Sequence, residues 1–234
     1  MSDIVKRGFV PSDEKEFGVA AMEKLHKAGA DLYYLINQGY PIKPASTFVG
    51  NHYMLSERQR LALVRSISPK KQIAARCAKE ITGDLTGLEV NIDGFNTIIM
   101  LEVAFSGSTL LKCMDGCVRD LAGLRGTYRL IDKTDMAIRA MGKVLAAGKV
   151  AKANIYLDAP VSNSGRLKAR IAELLADYDF ELEFYIINGV DSALEVLPNV
   201  ITGDAIILDK CKSWFNLTKV AIEQEIGEYP FVEI

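Results

Sequence analysis

The chain has 234 residues, nearly half of them hydrophobic and a quarter charged, enough for one large domain or a small one plus a medium one with a substantial core. No apolar stretch reaches the roughly 18 uncharged residues of a membrane helix, and residues 1–8 lack the apolar segment of a signal peptide, so a cytoplasmic protein that does not enter the membrane is expected. The net charge of −2 is unevenly spread: residues 1–80 carry 13 Lys/Arg against 8 Asp/Glu, and residues 81–234 carry 15 against 22. A basic front half can hold a polyanion while an acidic back half holds a metal ion, although charge alone fits ordinary surface composition better.

The first 80 residues read as helical. Glu14 to Lys27 places Phe17, Val19, Ala20, Met22 and Leu25 on one helical face, and Asp31 to Gln38 continues with Leu32, Tyr33, Leu35 and Ile36. Gly39-Tyr-Pro41 stops that pattern, and Pro41 and Pro44 mark an irregular connection. Ser56 with Gln59 three residues on makes a capping box. Ser68-Pro69 is a second start signal, an N-cap followed by proline at the first helical position.

The character changes near Gly83, where Asp84-Leu-Thr-Gly87 is rich in turn formers. A helical domain over 1–83 and an α/β domain over 84–234 are expected. Strands are predicted at 88–93, 153–158, 181–187 and 199–203, and helices at 96–105, 117–124, 133–147, 165–177, 190–196 and 213–226. The alternation argues for a parallel sheet with covering helices, and the nearly continuous apolar strands suggest burial on both faces.

Aspartates end these apolar runs. Asp93 closes the first, Asp158 follows Ile155-Tyr-Leu, Asp191 follows Ile186-Ile-Asn-Gly-Val, and Asp204 follows Val200-Ile-Thr-Gly. Carboxylates at the carboxyl ends of parallel strands share the edge where open α/β folds bind ligands. Acids gathered there repel one another, and Mg²⁺ or Mn²⁺, which prefer oxygen ligands, relieve that repulsion. Gly94 permits a sharp turn after Asp93, and Asn96 can bond the carboxylate or a substrate phosphate; helix capping by Asp93 explains the same pattern. The loop after Asp158, with Ser162, Asn163, Ser164 and Arg166 leading into a helix, is suited to an anion or to plain capping. Arg119 and Arg125 can hold a nucleic-acid backbone, Tyr128 can stack on a base, and Glu102, Asp115 and Asp120 are further acids. Cys113 and Cys117 lack a second ligand pair, so zinc is a weak reading. A dehalogenase-type phosphatase needs an acid at position 95, which is Phe, and no Walker lysine or dinucleotide glycine motif is present.

Ile92-Asp-Gly-Phe-Asn, Tyr156-Leu-Asp-Ala, Gly189-Val-Asp191 and Ile201-Thr-Gly-Asp204 resemble, in order, motifs of the PIN/NYN nuclease superfamily, over about residues 88–220. The resemblance implies a Rossmann-like parallel sheet with covering helices, here preceded by a small all-α domain. It also implies Mg²⁺ or Mn²⁺ held by Asp93, Asp191 and Asp204 with Asp158 nearby, and endonucleolytic cleavage of RNA. An acid on the helix after the first strand has no clean counterpart, and 106–150 is atypical of that superfamily. Tyr34-Leu-Ile-Asn-Gln-Gly-Tyr-Pro and the segment Phe48 to Arg60 resemble an uncharacterised prokaryotic family, often archaeal, that precedes such a domain. The expectation is therefore a metal-dependent ribonuclease whose halves act as a unit and which admits a homo-oligomer. The alternative is an inactive RNA-binding or scaffold protein on the same fold.

Overall fold

The computed structural model describes residues 5–123 and 126–234. Its first elements are all helices: α1 (Asp13–Glu16), α2 (Val19–Asn37), α3 (Ile42–His52), α4 (Glu57–Ser66) and α5 (Lys70–Cys77). The stretches expected at 14–27 and 31–38 are largely one helix, α2. Its Gly29 is the point of closest approach, since a Cβ there would stand 2.9 Å from Ile234 Cγ2. The connection expected at Pro41 and Pro44 is instead the start of α3. Pro44 falls in the first turn, where no backbone N–H has an intrahelical acceptor to lose. The capping box of α4 is present, with Ser56 and Gln59 bonded reciprocally. Helix α5 begins after Pro69, and the Ser68 hydroxyl, rather than capping it, accepts from Arg76 at 2.9 Å.

Beyond Gly83 the chain forms β1 (Glu89–Asp93), α6 (Gly94–Phe105), β2 (Leu110–Lys112), β3 (Val118–Asp120), α7 (Thr134–Ala147), β4 (Lys152–Asp158) and α8 (Ser164–Leu174). It continues with β5 (Glu181–Ile187), α9 (Val190–Leu194), β6 (Val200–Ile201), α10 (Ala205–Lys210), α11 (Leu217–Glu225) and β7 (Val232–Glu233). The main sheet has the order β5-β4-β1-β6 and all its pairs are parallel. The chain builds outward from β1 through β4 to β5, then returns to place β6 on the other side of β1. That reversal opens a crevice between β1 and β6 at the carboxyl edge.

The two faces of the sheet differ. Val90, Ile92, Ala153, Ile155, Leu157 and Ile201 are buried with residues of α6, α7, α8 and α11 in the largest core cluster. The alternate residues of β1, β4 and β5 include Asn91, Asn154, Glu183, Tyr156 and Tyr185, the tyrosines stacked at 4.7 Å. Burial on both faces was expected; only the first face is an apolar layer. The second face is covered toward its carboxyl end, where Val190, Leu194, Val200, Ile207, Leu208 and Trp214 cluster against Tyr156 and Ile187.

Over the described residues 117–123 the helix expected at 117–124 is not formed; residues 118–120 are β3. A short antiparallel hairpin pairs β2 with β3, and β7 adds in parallel to β2. This second sheet joins the two parts of the chain. Leu111, Cys113 and Leu121 pack with Ala62 of α4, against which Phe17, Val232 and Ile234 also lie. Ile234 reaches the core of the front helices, and His26 is 3.0 Å from the Glu233 carbonyl.

Candidate carboxylate site at the sheet edge

Asp93 stands at the end of β1 and is buried, 6 % exposed. Thr202 donates to its Oδ2 at 2.9 Å, and the Asn96 N–H approaches its Oδ1 at 3.3 Å. The second bond makes Asp93 the cap of α6, so the capping explanation of this motif is part of the structure. Asn96 itself turns toward β6, accepting the Gly203 N–H at 2.7 Å. Thr202 also accepts from the Asp204 N–H at 3.1 Å. Asp204 in turn caps α10 through Oδ1, which accepts from Ile206 at 2.7 Å and Ile207 at 3.3 Å. The β1–β6 crevice is thus a closed set of short contacts in which Thr202 ties one acid to the backbone of the other.

Burial raises the Asp93 carboxyl to about 7, with Thr202 and Asn96 opposing the rise and the charges of Asp191 and Asp204 adding to it. Asp191, on the first turn of α9, is raised by burial and then by the charges of Asp204, Asp158 and Glu195. Asp158, at the end of β4, is raised by burial, an effect that the nearby Val190 N–H opposes. All four aspartates therefore lie along one edge, and each of Asp93 and Asp191 feels at least two of the others. Among the described residues, no three His, Cys, Asp or Glu side chains stand close enough together to hold a metal ion as they are.

Of the remaining expected acids, Glu102 and Asp115 lie elsewhere. Glu102 is fully buried in α6, where it is ion-paired with Arg7 at 2.8 Å, accepts from Tyr128 at 2.7 Å and bonds Thr134. Asp115 is buried between Arg76 at 2.8 Å and Arg119 at 2.6 Å. Burial pushes its carboxyl up, but the two guanidiniums outweigh that and hold it below the usual range. Asp120 is ion-paired with Arg65 at 3.6 Å and does reach the site. With Arg65, Arg119, Asn96, Met100, Gly203 and Asp204 it lines a cleft of about 250 Å³ between α4 and the sheet edge. Arg65, from the front helices, thereby stands in one cleft with Asp204.

Several side chains expected to meet substrate are committed to the protein itself. Arg119 is 6 % exposed; besides Asp115 it bonds the carbonyls of Gly203 at 2.7 Å and Arg65 at 3.2 Å. It braces the loop carrying Asp204 rather than facing a polyanion. Ser162 both accepts from the Tyr128 N–H at 3.0 Å and donates to its carbonyl at 3.2 Å, and Asn163 donates to the same carbonyl at 2.6 Å. These residues fix the 126–130 segment against α8. Ser164 is buried at the start of α8, and Tyr128, buried in the core, offers no stacking face. Arg125 lies outside the described residues. Arg166 is exposed and, with Arg129, Asn163 and Arg170, lines an open cavity of about 640 Å³; none of the four aspartates lines it.

The fold defines an α/β protein with a parallel sheet and aspartates at the carboxyl ends of its strands. The chain belongs to the family described as a domain of unknown function (DUF5616), whose model matches residues 82–220; residues 24–79 match a protein of unknown function (DUF434). The second match agrees with the uncharacterised family expected for the front half. An uncharacterized protein of Methanocaldococcus jannaschii is 36 % identical over 203 residues, covering 85 % of this chain and 97 % of that protein. No solved structure matches the chain. No described helix is long and apolar enough to cross a membrane.

Proposed function

We propose that the protein is a metal-dependent phosphodiester hydrolase acting on RNA, on a Rossmann-like fold of the PIN/NYN kind. One observation carries the reading: Asp93 is a buried carboxylate at the β1–β6 crevice, held by Thr202 and the Asn96 amide, with Asp204 tied beside it through the same Thr202 hydroxyl. Such an arrangement favours an added positive charge. The donors fit Mg²⁺ or Mn²⁺ in type, being carboxylate oxygens. Mg²⁺ is commonly held by only one or two carboxylates with waters and substrate phosphate, so a preassembled set of three is not required. Asp93 would supply the inner ligand, with Asp191 and Asp204 flanking it and Asp158 near the entrance. A bound ion would supply a water of lowered pKa and charge to offset that of the phosphodiester. The protein's own part is positional: Thr202 and the Asn96 amide fix Asp93, and the Arg119–Gly203 bond fixes the loop of Asp204. Arg65 at the cleft and Arg129 and Arg166 at the larger cavity are placed to meet a polyanion.

The test is cleavage of single-stranded RNA by the full chain with Mn²⁺ or Mg²⁺. Asp93→Asn, with folding retained, should abolish it; undiminished cleavage by that variant would remove the reading. The absence of three grouped ligands among the described residues favours a second reading, an RNA-binding or scaffold protein that performs no chemistry. Calorimetry distinguishes the two, because RNA binding with no Mn²⁺ uptake supports only the second.

A further inference from the structure

β5 is the outer strand of the main sheet. Its register with β4 runs from Glu181 opposite Lys152 to Ile187 opposite Asp158, and the Glu181 N–H bonds the Ala151 carbonyl at 2.9 Å. In a parallel pair, alternate residues turn both backbone groups toward the neighbour. Residues 181, 183, 185 and 187 therefore face β4, and the N–H and C=O groups of Leu182, Phe184 and Ile186 point away from the sheet. No described residue bonds those outward groups. Strand edges of this kind are ordinarily blunted by lysine, proline, a bulge or a covering element, since they template pairing with another chain. The strand Glu-Leu-Glu-Phe-Tyr-Ile-Ile carries neither lysine nor proline and no residue of positive φ. Ile186 is 39 % exposed, and Leu182 and Phe184 are only partly covered.

We propose that β5 pairs antiparallel with β5 of a second copy of this chain, about a two-fold axis at Phe184, joining two four-stranded sheets into one. Closing the ladder requires outward-facing residues to meet outward-facing residues, which leaves few registers. Symmetry about Phe184 uses the whole strand. It sets Leu182 against the partner's Ile186 and Phe184 against its own counterpart, so the apolar side chains meet on one face. On the other face Glu183 meets the partner's Tyr185, and Glu181 the partner's Ile187. Glu183 is ion-paired with Lys152 of its own chain, a partly exposed pair that offsets its charge only in part. These non-hydrogen-bonded positions bring side chains closest, and Tyr185 is a hydrogen-bond partner that a carboxylate accepts from. The register one step toward the N-terminus instead opposes Glu183 to itself, and like charges directly opposite are unfavourable. The register one step the other way leaves Glu181 and Leu182 unpaired. Charge and length thus select the same axis, and the interface is isologous and closes at a dimer.

The experiment is sedimentation velocity with light scattering on the full chain across micromolar concentrations. The wild type should run at about twice the 25.7 kDa of one chain. Ile186→Pro removes only an outward N–H, leaving the ladder to β4 intact, and Ile186→Lys places a charge at the edge. Both should weaken association at least tenfold while circular dichroism keeps the native signal; if the proline variant fails to fold, the lysine variant decides. Register is read by mild copper-phenanthroline oxidation in a Cys77→Ser background. Phe184→Cys should crosslink between copies, because directly opposite Cα atoms are about 5.5 Å apart, and Leu182→Cys should not. A monomeric wild type, a dimer that survives both Ile186 variants, or crosslinking at 182 and not at 184 would overturn the proposal.

Discussion

Arg119 and Gly203 are joined by a 2.7 Å bond from a buried guanidinium to a loop carbonyl, which ties β3 to the segment that presents Asp204. The same guanidinium holds Asp115, so one side chain links the acid edge to the hairpin on which the front helices rest. Arg119→Met should cost about 1–3 kcal/mol, since Asp115 keeps Arg76 but the buried Gly203 carbonyl loses its donor, measured by urea unfolding. The salt dependence of RNA binding by the folded fraction should not change. A variant of unchanged stability with a reduced salt slope would return Arg119 to the role of a phosphate contact.

Asp93 makes stability depend on pH in an unusual direction for an acid. Its carboxyl is raised from 3.8 to about 7, so the folded state holds a proton that the unfolded state releases. The contribution is complete below about pH 4 and is lost as pH rises through 7; at about 1.4 kcal/mol per pKa unit its ceiling is about 4 kcal/mol. Without divalent cations, Asp93→Asn should therefore be more stable than the wild type at pH 8, with the difference closing at pH 4. Thermal unfolding at the two pH values checks this. Equal behaviour at pH 8 would show that Asp93 is not raised.

A cation and a proton compete for the same carboxylate. Under the proposed function, Mn²⁺ affinity should rise about tenfold per pH unit below 7 and level off above it. Isothermal titration at pH 6, 7 and 8 reads the slope; a flat profile would separate the ion, if bound, from Asp93.

Thr202→Val removes the donor to Asp93 and the acceptor for the Asp204 N–H together. The hydroxyl holds the Asp93 carboxyl down against burial, so its loss should move the titration of Asp93 to higher pH. It should also cost about 1–3 kcal/mol for the orphaned N–H. Carboxyl shifts followed by NMR against pH give the first quantity, and urea unfolding the second.

Glu102 is one of the further acids read from the sequence and lies on the helix that follows Asp93, yet its partners are Arg7, Tyr128 and Thr134. Glu102→Gln should lower stability by about 3 kcal/mol by leaving Arg7 unpaired in the interior. Mn²⁺ and RNA binding by the folded fraction should be unaffected. Loss of metal uptake at full stability would place Glu102 in the acid set.

The main strands were legible because each is a short apolar run closed by aspartate or glycine, and the parallel order follows from their alternation with helices. Asp93 and Asp204 were legible as chain positions, but not in their dual character: each caps a helix as well as facing the crevice. For Asp204 the apolar Ala205-Ile-Ile-Leu following it is assigned no element from its pattern, whereas the cap makes it α10. The helix expected at 213–226 starts only at Leu217, because Trp214 bridges to Glu80 and Val200 and extends the chain there. The 117–124 segment failed for a related reason. Three residues of β3 have little preference of their own, and they are extended because β2 pairs with them. Arg119, Ser162 and Asn163 have the right chemistry for phosphate, and what diverts them is partners far off in sequence, such as Gly203 and Tyr128, which periodicity and spacing do not reveal.

Ile234 against Gly29 has a consequence for the order of events during synthesis. The front helices leave the ribosome first, but part of their packing arrives only when residues more than 200 positions later have emerged, as the His26–Glu233 contact also requires. Local helix formation in residues 13–77 can precede this, yet the front core is finished by a long-range closure of high contact order, expected to be a late step.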